Sequence, residues 1–147
     1  MSIKELISPE TISLELQATD ADSAIQELAA VLARSGAVSD LSAYVADVRT
    51  RERHSTTAVG FGVAIPHAKS AGVSRAAVAF GRAKAGLNWS SLDGEPVHMV
   101  FLIAAPEGAN DVHLKALAQL ARMLMHEEVR EGLLAANTPD QVLAALG

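Results

Sequence analysis

The sequence predicts an α/β sandwich, a single domain in which a central mixed β-sheet carries helices on both faces. Two observations point there. Short segments with alternating or continuous apolar residues are interleaved with longer ones whose apolar residues recur at helical spacing. Half of the 147 residues are apolar, enough for one core without disulfides or metal staples. No internal repeat, low-complexity tract or long linker divides the chain, so residues 1–147 read as one domain.

Each element has its own signal. Ser8-Pro9-Glu10 reads as a turn, and Thr11 to Leu16 alternates apolar and polar residues as a half-buried strand does. Thr19 with Asp22 resembles a capping box, followed by Ile25, Leu28, Ala29 and Leu32 at helical spacing and by Gly36 as a stop. Ser39 can cap a second helix with Leu41, Tyr44, Val45 and Val48 on its buried side. The small, turn-rich stretch Ser55 to Gly62 leads into Val63-Ala64-Ile65, a short buried strand that Pro66 stops. Arg75 to Gly81 and Val97 to Ala104 read as two more strands, separated by the turn Asp93-Gly94-Glu95-Pro96. Asn110 can cap a helix bearing His113, Leu117, Leu120 and Leu124, and Thr138-Pro139-Asp140-Gln141 marks the start of a last helix.

Composition narrows the function. The chain has no cysteine, which excludes a disulfide framework, a thiolate metal site and a cysteine nucleophile. Its formal charge is −5 with scattered basic residues and 3% aromatics, so it lacks the basic face and stacking platform of a nucleic-acid binder. The start, MSIKELISPETI, lacks a signal peptide's apolar core, and no apolar run approaches a membrane span. A cytoplasmic protein with no direct membrane insertion is expected.

Five histidines are present. His54, His98 and His126 read as solvated or structural residues and receive no role. His67 follows Pro66 at a strand end, a position held rigidly yet reaching solvent; it reads equally as a structural histidine or a functional one. His113 falls in the first turn of a helix, where free N–H groups favour an anion, although a half-buried core-edge histidine fits as well. Neither His67-Ala68-Lys69 nor His113-Leu114-Lys115 has metal-ligand spacing. Lysine two residues after each histidine also argues against a two-histidine phosphoesterase, and no G-x-S-x-G occurs. What remains is a histidine that itself takes up a phosphoryl group, for which Arg51, Thr57 and His113 are suitable neighbours.

Arg51-Glu52, Ser55-Thr56-Thr57 and Val59 to His67 together resemble the signature of the type-2 enzyme IIA domains of the bacterial phosphotransferase sugar-uptake system. The fructose, mannitol and nitrogen-regulatory members share that signature. A second block, Phe101 to Gly108 followed by His113 to Arg122, looks most like the fructose branch. The resemblance implies that His67 accepts phosphate on Nε2 from the phosphocarrier protein HPr and passes it to a cysteine of enzyme IIB, which serves the membrane enzyme IIC. It also implies that Arg51, Thr57 and His113 line that site, with no cofactor and no metal. An apolar rim for partner docking is expected to include Phe61, Ala64 and Ala68. Ending at Gly147, the chain is expected to have enzyme IIB as a separate chain. The alternative is a nitrogen-type regulator that acts by binding other proteins.

Overall fold

The computed structural model describes residues 2–109 and 111–147. Six strands form one mixed sheet: β1 (Ile12–Ser13), β2 (Ala58–Gly60), β3 (Val63–Ala64), β4 (His67–Ser70), β5 (Ala77–Leu87) and β6 (Val97–Pro106). The helices are α1 (Ile3–Leu6), α2 (Ala21–Arg34), α3 (Leu41–His54), α4 (Val112–Met123), α5 (Glu127–Ala135) and α6 (Pro139–Ala145). The sheet runs β1-β5-β6-β3-β2, and β4 also pairs with β6. β1 lies parallel to β5, β5 antiparallel to β6, and β3 and β4 parallel to β6 in succession. The predicted sandwich is the observed one.

Alternation along β6 divides the core between the two faces. Met99, Phe101 and Ile103 pack with residues of α1, α4, α5 and α6, whereas Val100, Leu102 and Ala104 pack with α2 and α3. Such a strand, buried on both sides, reads as the near-continuous apolar run seen in the sequence. Tyr44 reaches from α3 into this layer and its hydroxyl donates to the Ile103 carbonyl at 2.8 Å.

Several element boundaries differ from the sequence expectation, each for a local reason. The strand expected over Thr11 to Leu16 shrinks to Ile12–Ser13, because Pro9 opens a 3-10 turn over Pro9–Thr11 that Ser8 and Thr11 cap reciprocally. The chain rejoins the sheet only at Leu16, whose N–H donates to Arg82 at 2.9 Å. α2 is capped by Asp20, which accepts from Ser23 N–H at 2.8 Å, rather than by Thr19; it stops as predicted at Gly36, with φ 89°. Asp40, not Ser39, caps α3, since Ser39 is bound to the Gly72 carbonyl, and Leu41 is exposed rather than buried. Thr138 caps α6 as expected, accepting from Gln141 N–H. Asn110, expected to cap α4, lies outside the described residues.

Pro66 interrupts an edge rather than ending it. Its carbonyl still accepts from Ile103 N–H at 3.0 Å, so the chain resumes pairing with β6 at His67. His67 is therefore the first residue of a strand, not a residue beyond one.

Arg82 ties the far end of the sheet to α5. Its guanidinium donates to the carbonyls of Leu14 (3.3 Å), Leu133 (2.9 Å), Leu134 (3.1 Å) and Ala136 (2.6 Å). These include the free carbonyls that a helix C-terminus leaves unpaired. Arg82→Met keeps the apolar stem and removes those donors. Charge-assisted hydrogen bonds are worth more than neutral ones, so we expect a loss of about 2–3 kcal/mol, read as a lower urea midpoint at unchanged slope.

Candidate active site around His67

β4 pairs with β6 alone among the described strands, and its open edge lies between the C-terminal half of α3 and the start of α4. A cleft of about 380 Å³ forms there. α3 contributes Asp47, Thr50, Arg51 and His54, which at i, i+3, i+4 and i+7 share one helix face. β4 contributes His67 and, two residues on, Lys69. From α4 come His113 and Leu114.

His67 is only 6% exposed, less than its expected place at a solvent-reaching strand end. Its Nδ1 lies 2.9 Å from the Ile65 carbonyl. A carbonyl can only accept, so the proton is on Nδ1 and the lone pair is on Nε2. Pro66 makes this contact possible by restricting Ile65 to extended backbone and fixing the angle between the two residues.

His113 is the second residue of α4, and its ring centroid lies 6.3 Å from that of His67 with the planes tilted by 38°. Its Nδ1 is buried without a hydrogen-bond partner among the described residues. Lys115 N–H donates to Asp111 within α4, and among the described residues the N–H groups before it have no backbone partner, as a helix N-terminus presents to an anion. Arg51 is steadied by donating Nη1 to the Ser55 carbonyl at 3.1 Å. The charges of Arg51 and Lys69 against a single Asp47, with His54 and His113 as further polar neighbours, make the cleft favourable to anions.

Thr57 is placed differently. Its hydroxyl donates to Glu52 at 2.6 Å and its N–H to the same carboxylate at 2.9 Å, and it is not among the residues lining the cleft. His54 and Lys69, to which the sequence reading gave no role, do line it. The helical spacing of His54 from Arg51 and the strand alternation of Lys69 with His67 were the signals available for them. Of the expected apolar rim only Phe61 is exposed, at 63%. Ala64 is buried in the layer beneath α2 and α3, whereas Ala68, largely buried in the same layer, also lines the cleft beside His67. Phe61 adopts φ 59° between Gly60 and Gly62, with the Arg130 guanidinium 4.3 Å from its ring centre.

Burial is the main cause that lowers the His67 pKa below its ordinary 6.5; the Arg51 charge adds to it, while the Ile65 hydrogen bond and Glu52 oppose. His113 is lowered too, first by burial and then by His67 and Lys69, against Asp111. The groups facing His67 are Arg51, His54 and Asp47 from α3, Lys69 from β4 and His113 from α4. The folded ring releases its proton more readily than the unfolded one. Stability therefore falls as pH drops below 6.5 toward the folded pKa. NMR titration of His67 is expected to give an inflection below 6.5; one at or above 6.5 contradicts this account.

A neutral imidazole with its Nε2 lone pair unprotonated, beside Arg51 and Lys69 in one cleft, is the arrangement that suits a nitrogen nucleophile and an anionic group. The chain belongs to a family with that chemistry: the family model described as "Phosphoenolpyruvate-dependent sugar phosphotransferase system, EIIA 2" matches residues 5–147. The chain is 46% identical over 143 residues to the fructose-specific EIIABC component of Bacillus subtilis (strain 168), covering 97% of this chain and 22% of that protein. It thus spans about a fifth of that relative's length. It is also 38% identical to a nitrogen regulatory protein of Bradyrhizobium diazoefficiens, over 99% of this chain and 95% of that one. Among solved structures, the nitrogen regulatory protein IIA-Ntr of Neisseria meningitidis superposes with a TM-score of 0.85 at 28% identity, covering 99% of each chain. A complex of the mannitol enzyme IIA with phosphorylated enzyme IIB from Escherichia coli matches at 0.82 and 25% identity, covering 96% of this chain and 98% of that one. Among the described residues no helix is long and apolar enough to cross a membrane.

Proposed function

We propose that the protein accepts a phosphoryl group from phosphorylated HPr on Nε2 of His67 and hands it to the cysteine of an enzyme IIB, in cytoplasmic service of the uptake of fructose or a related sugar through enzyme IIC. One observation carries the reading: the Nδ1–H of His67 is committed to the Ile65 carbonyl, leaving Nε2 as the nucleophile.

In the first step the Nε2 lone pair attacks phosphorus. The P–N bond of the donor breaks, and its electron pair returns to the donor imidazole. The His67 ring then carries positive charge while keeping its Nδ1–H, and the hydrogen bond to Ile65 strengthens. In the second step a cysteine thiolate attacks, the new P–N bond breaks, and the pair returns to Nε2. Little covalent chemistry falls to the protein, so catalysis is positioning plus stabilisation of the equatorial oxygens. Arg51, His113 and the N-terminal end of α4 are suited to that stabilisation, and Lys69 raises the local concentration of the anionic donor.

The fructose reading is supported by the fructose-specific relative, and the enzyme IIB partner by the solved mannitol complex. With phosphoenolpyruvate, enzyme I and HPr, the protein should gain an acid-labile, base-stable phosphate that drains onto a fructose-type enzyme IIB. The nitrogen regulatory relative, aligned along almost its whole length, favours a second reading in which phosphorylation controls binding to other proteins. A label that forms normally but passes to no sugar-type enzyme IIB supports that reading instead.

A further inference from the structure

A continuous run of hydrogen bonds joins the carboxylate of Glu52 to the ring of His67. Glu52 accepts from the hydroxyl (2.6 Å) and the N–H (2.9 Å) of Thr57. The Thr57 carbonyl accepts from Ile65 N–H at 3.0 Å, and the Ile65 carbonyl accepts from His67 Nδ1–H at 2.9 Å. From the other side, buried Trp89 donates its indole N–H to Glu52 at 3.1 Å. Among the described residues no cation forms a salt bridge with Glu52, so its hydrogen bonds come from the neutral donors Thr57 and Trp89.

From this geometry, and resting on the relay proposed above, we infer that Glu52 is a positioning residue for phosphoryl transfer, bracing His67 through Thr57 and Ile65 in the tautomer that exposes Nε2. Arg51 and Glu52 are neighbours on α3 but serve opposite sides of the site. Arg51 faces the cleft, where the anion lies, and Glu52 faces the strands behind it.

The physical case has two parts. Each link passes through a Cα rather than through one amide, so the carboxylate fixes the Thr57 backbone and through it the place of the Ile65 carbonyl, while its charge acts on the ring through space. That favours the Nδ1–H tautomer; the alternative would set the Nδ1 lone pair against the Ile65 carbonyl and put a proton on the nucleophile. It also favours the product, because the ring becomes positive once Nε2 bonds to phosphorus. The sense of the Glu52 charge, which favours the protonated ring, agrees. Thr57 then serves the reaction from behind the histidine, as the link that Glu52 grips.

The test is Glu52→Gln in the full chain, which keeps the shape and removes the charge. Nitrogen NMR of unphosphorylated His67 should show a gain of the Nε2–H tautomer and a lower titration inflection. Transfer from phosphorylated HPr should show a kcat about ten-fold lower at unchanged KM, the scale of losing a partner that orients a histidine through its other nitrogen. Trp89→Phe removes one donor to Glu52 but leaves the chain to His67 intact, so it should lower stability without moving the tautomer. A folded Glu52→Gln protein with wild-type tautomer and kcat overturns the inference. Should that variant not fold, Glu52→Asp shortens the reach to Thr57 at constant charge, and an unmoved tautomer there overturns it equally. If the wild-type protein takes up no phosphoryl group, the relay reading fails, while the tautomer readout still decides the role of Glu52.

Discussion

His67→Ala is expected to accept no phosphoryl group from phosphorylated HPr, at least ~10,000-fold below wild type, because it removes the atom that bonds to phosphorus. The loss should be chemical rather than structural. Among the described residues the His67 ring makes one hydrogen bond, to Ile65, and β4 is held to β6 through backbone pairing that the substitution leaves untouched. His67→Gln provides the control for volume, filling the space with a side chain that is not a nucleophile. Both variants should retain the wild-type circular dichroism spectrum. His113 is not expected to substitute, because its ring centre is 6.3 Å away and its place in the first turn of α4 suits it to hold the anion rather than attack it. Labelling of the His67 variants at His113 at the wild-type rate contradicts this division of roles.

Arg51→Ala should give the second largest effect, a fall in kcat of about 100- to 1,000-fold, the scale of losing one preorganised donor to a developing anion. Arg51 lines the cleft from α3 and is steadied by the Ser55 carbonyl, so its guanidinium enters the reaction already positioned. Arg51→Lys should recover only part of the rate, since an ammonium supplies charge without a planar fork. The sign of a second effect is opposite to that of Glu52→Gln. The Arg51 charge lowers the His67 pKa, so its removal should raise the inflection in an NMR titration. Single-turnover kinetics on Arg51→Ala separates loss of transition-state stabilisation from loss of docking: a change in KM alone would assign Arg51 to partner binding.

Most of the architecture was legible because its signals are local. The apolar run of β6, the cap of α6 and the stop at Gly36 each follow from a few adjacent residues. Boundaries failed where a distant contact decided them. Ser39 was lost as a cap because the Gly72 carbonyl takes its hydroxyl, and the first strand was cut short by a turn that Ser8 and Thr11 close. The site divided in the same way. His67, Arg51 and His113 were readable by residue type and family spacing, and all three meet in the cleft. The direction of Thr57 was not readable, because only the fold brings Glu52 and Trp89 to it. Nor was the near burial of His67, which depends on how closely α3 and α4 cover an edge strand interrupted at Pro66.

The most direct test of the account is nitrogen–phosphorus coupling in an NMR spectrum of the phosphorylated, nitrogen-labelled protein. The account predicts coupling of phosphorus to Nε2 of His67, with Nδ1 still protonated and bonded to the Ile65 carbonyl. Coupling to Nδ1, phosphate on His113, or phosphate on a side-chain oxygen would contradict it.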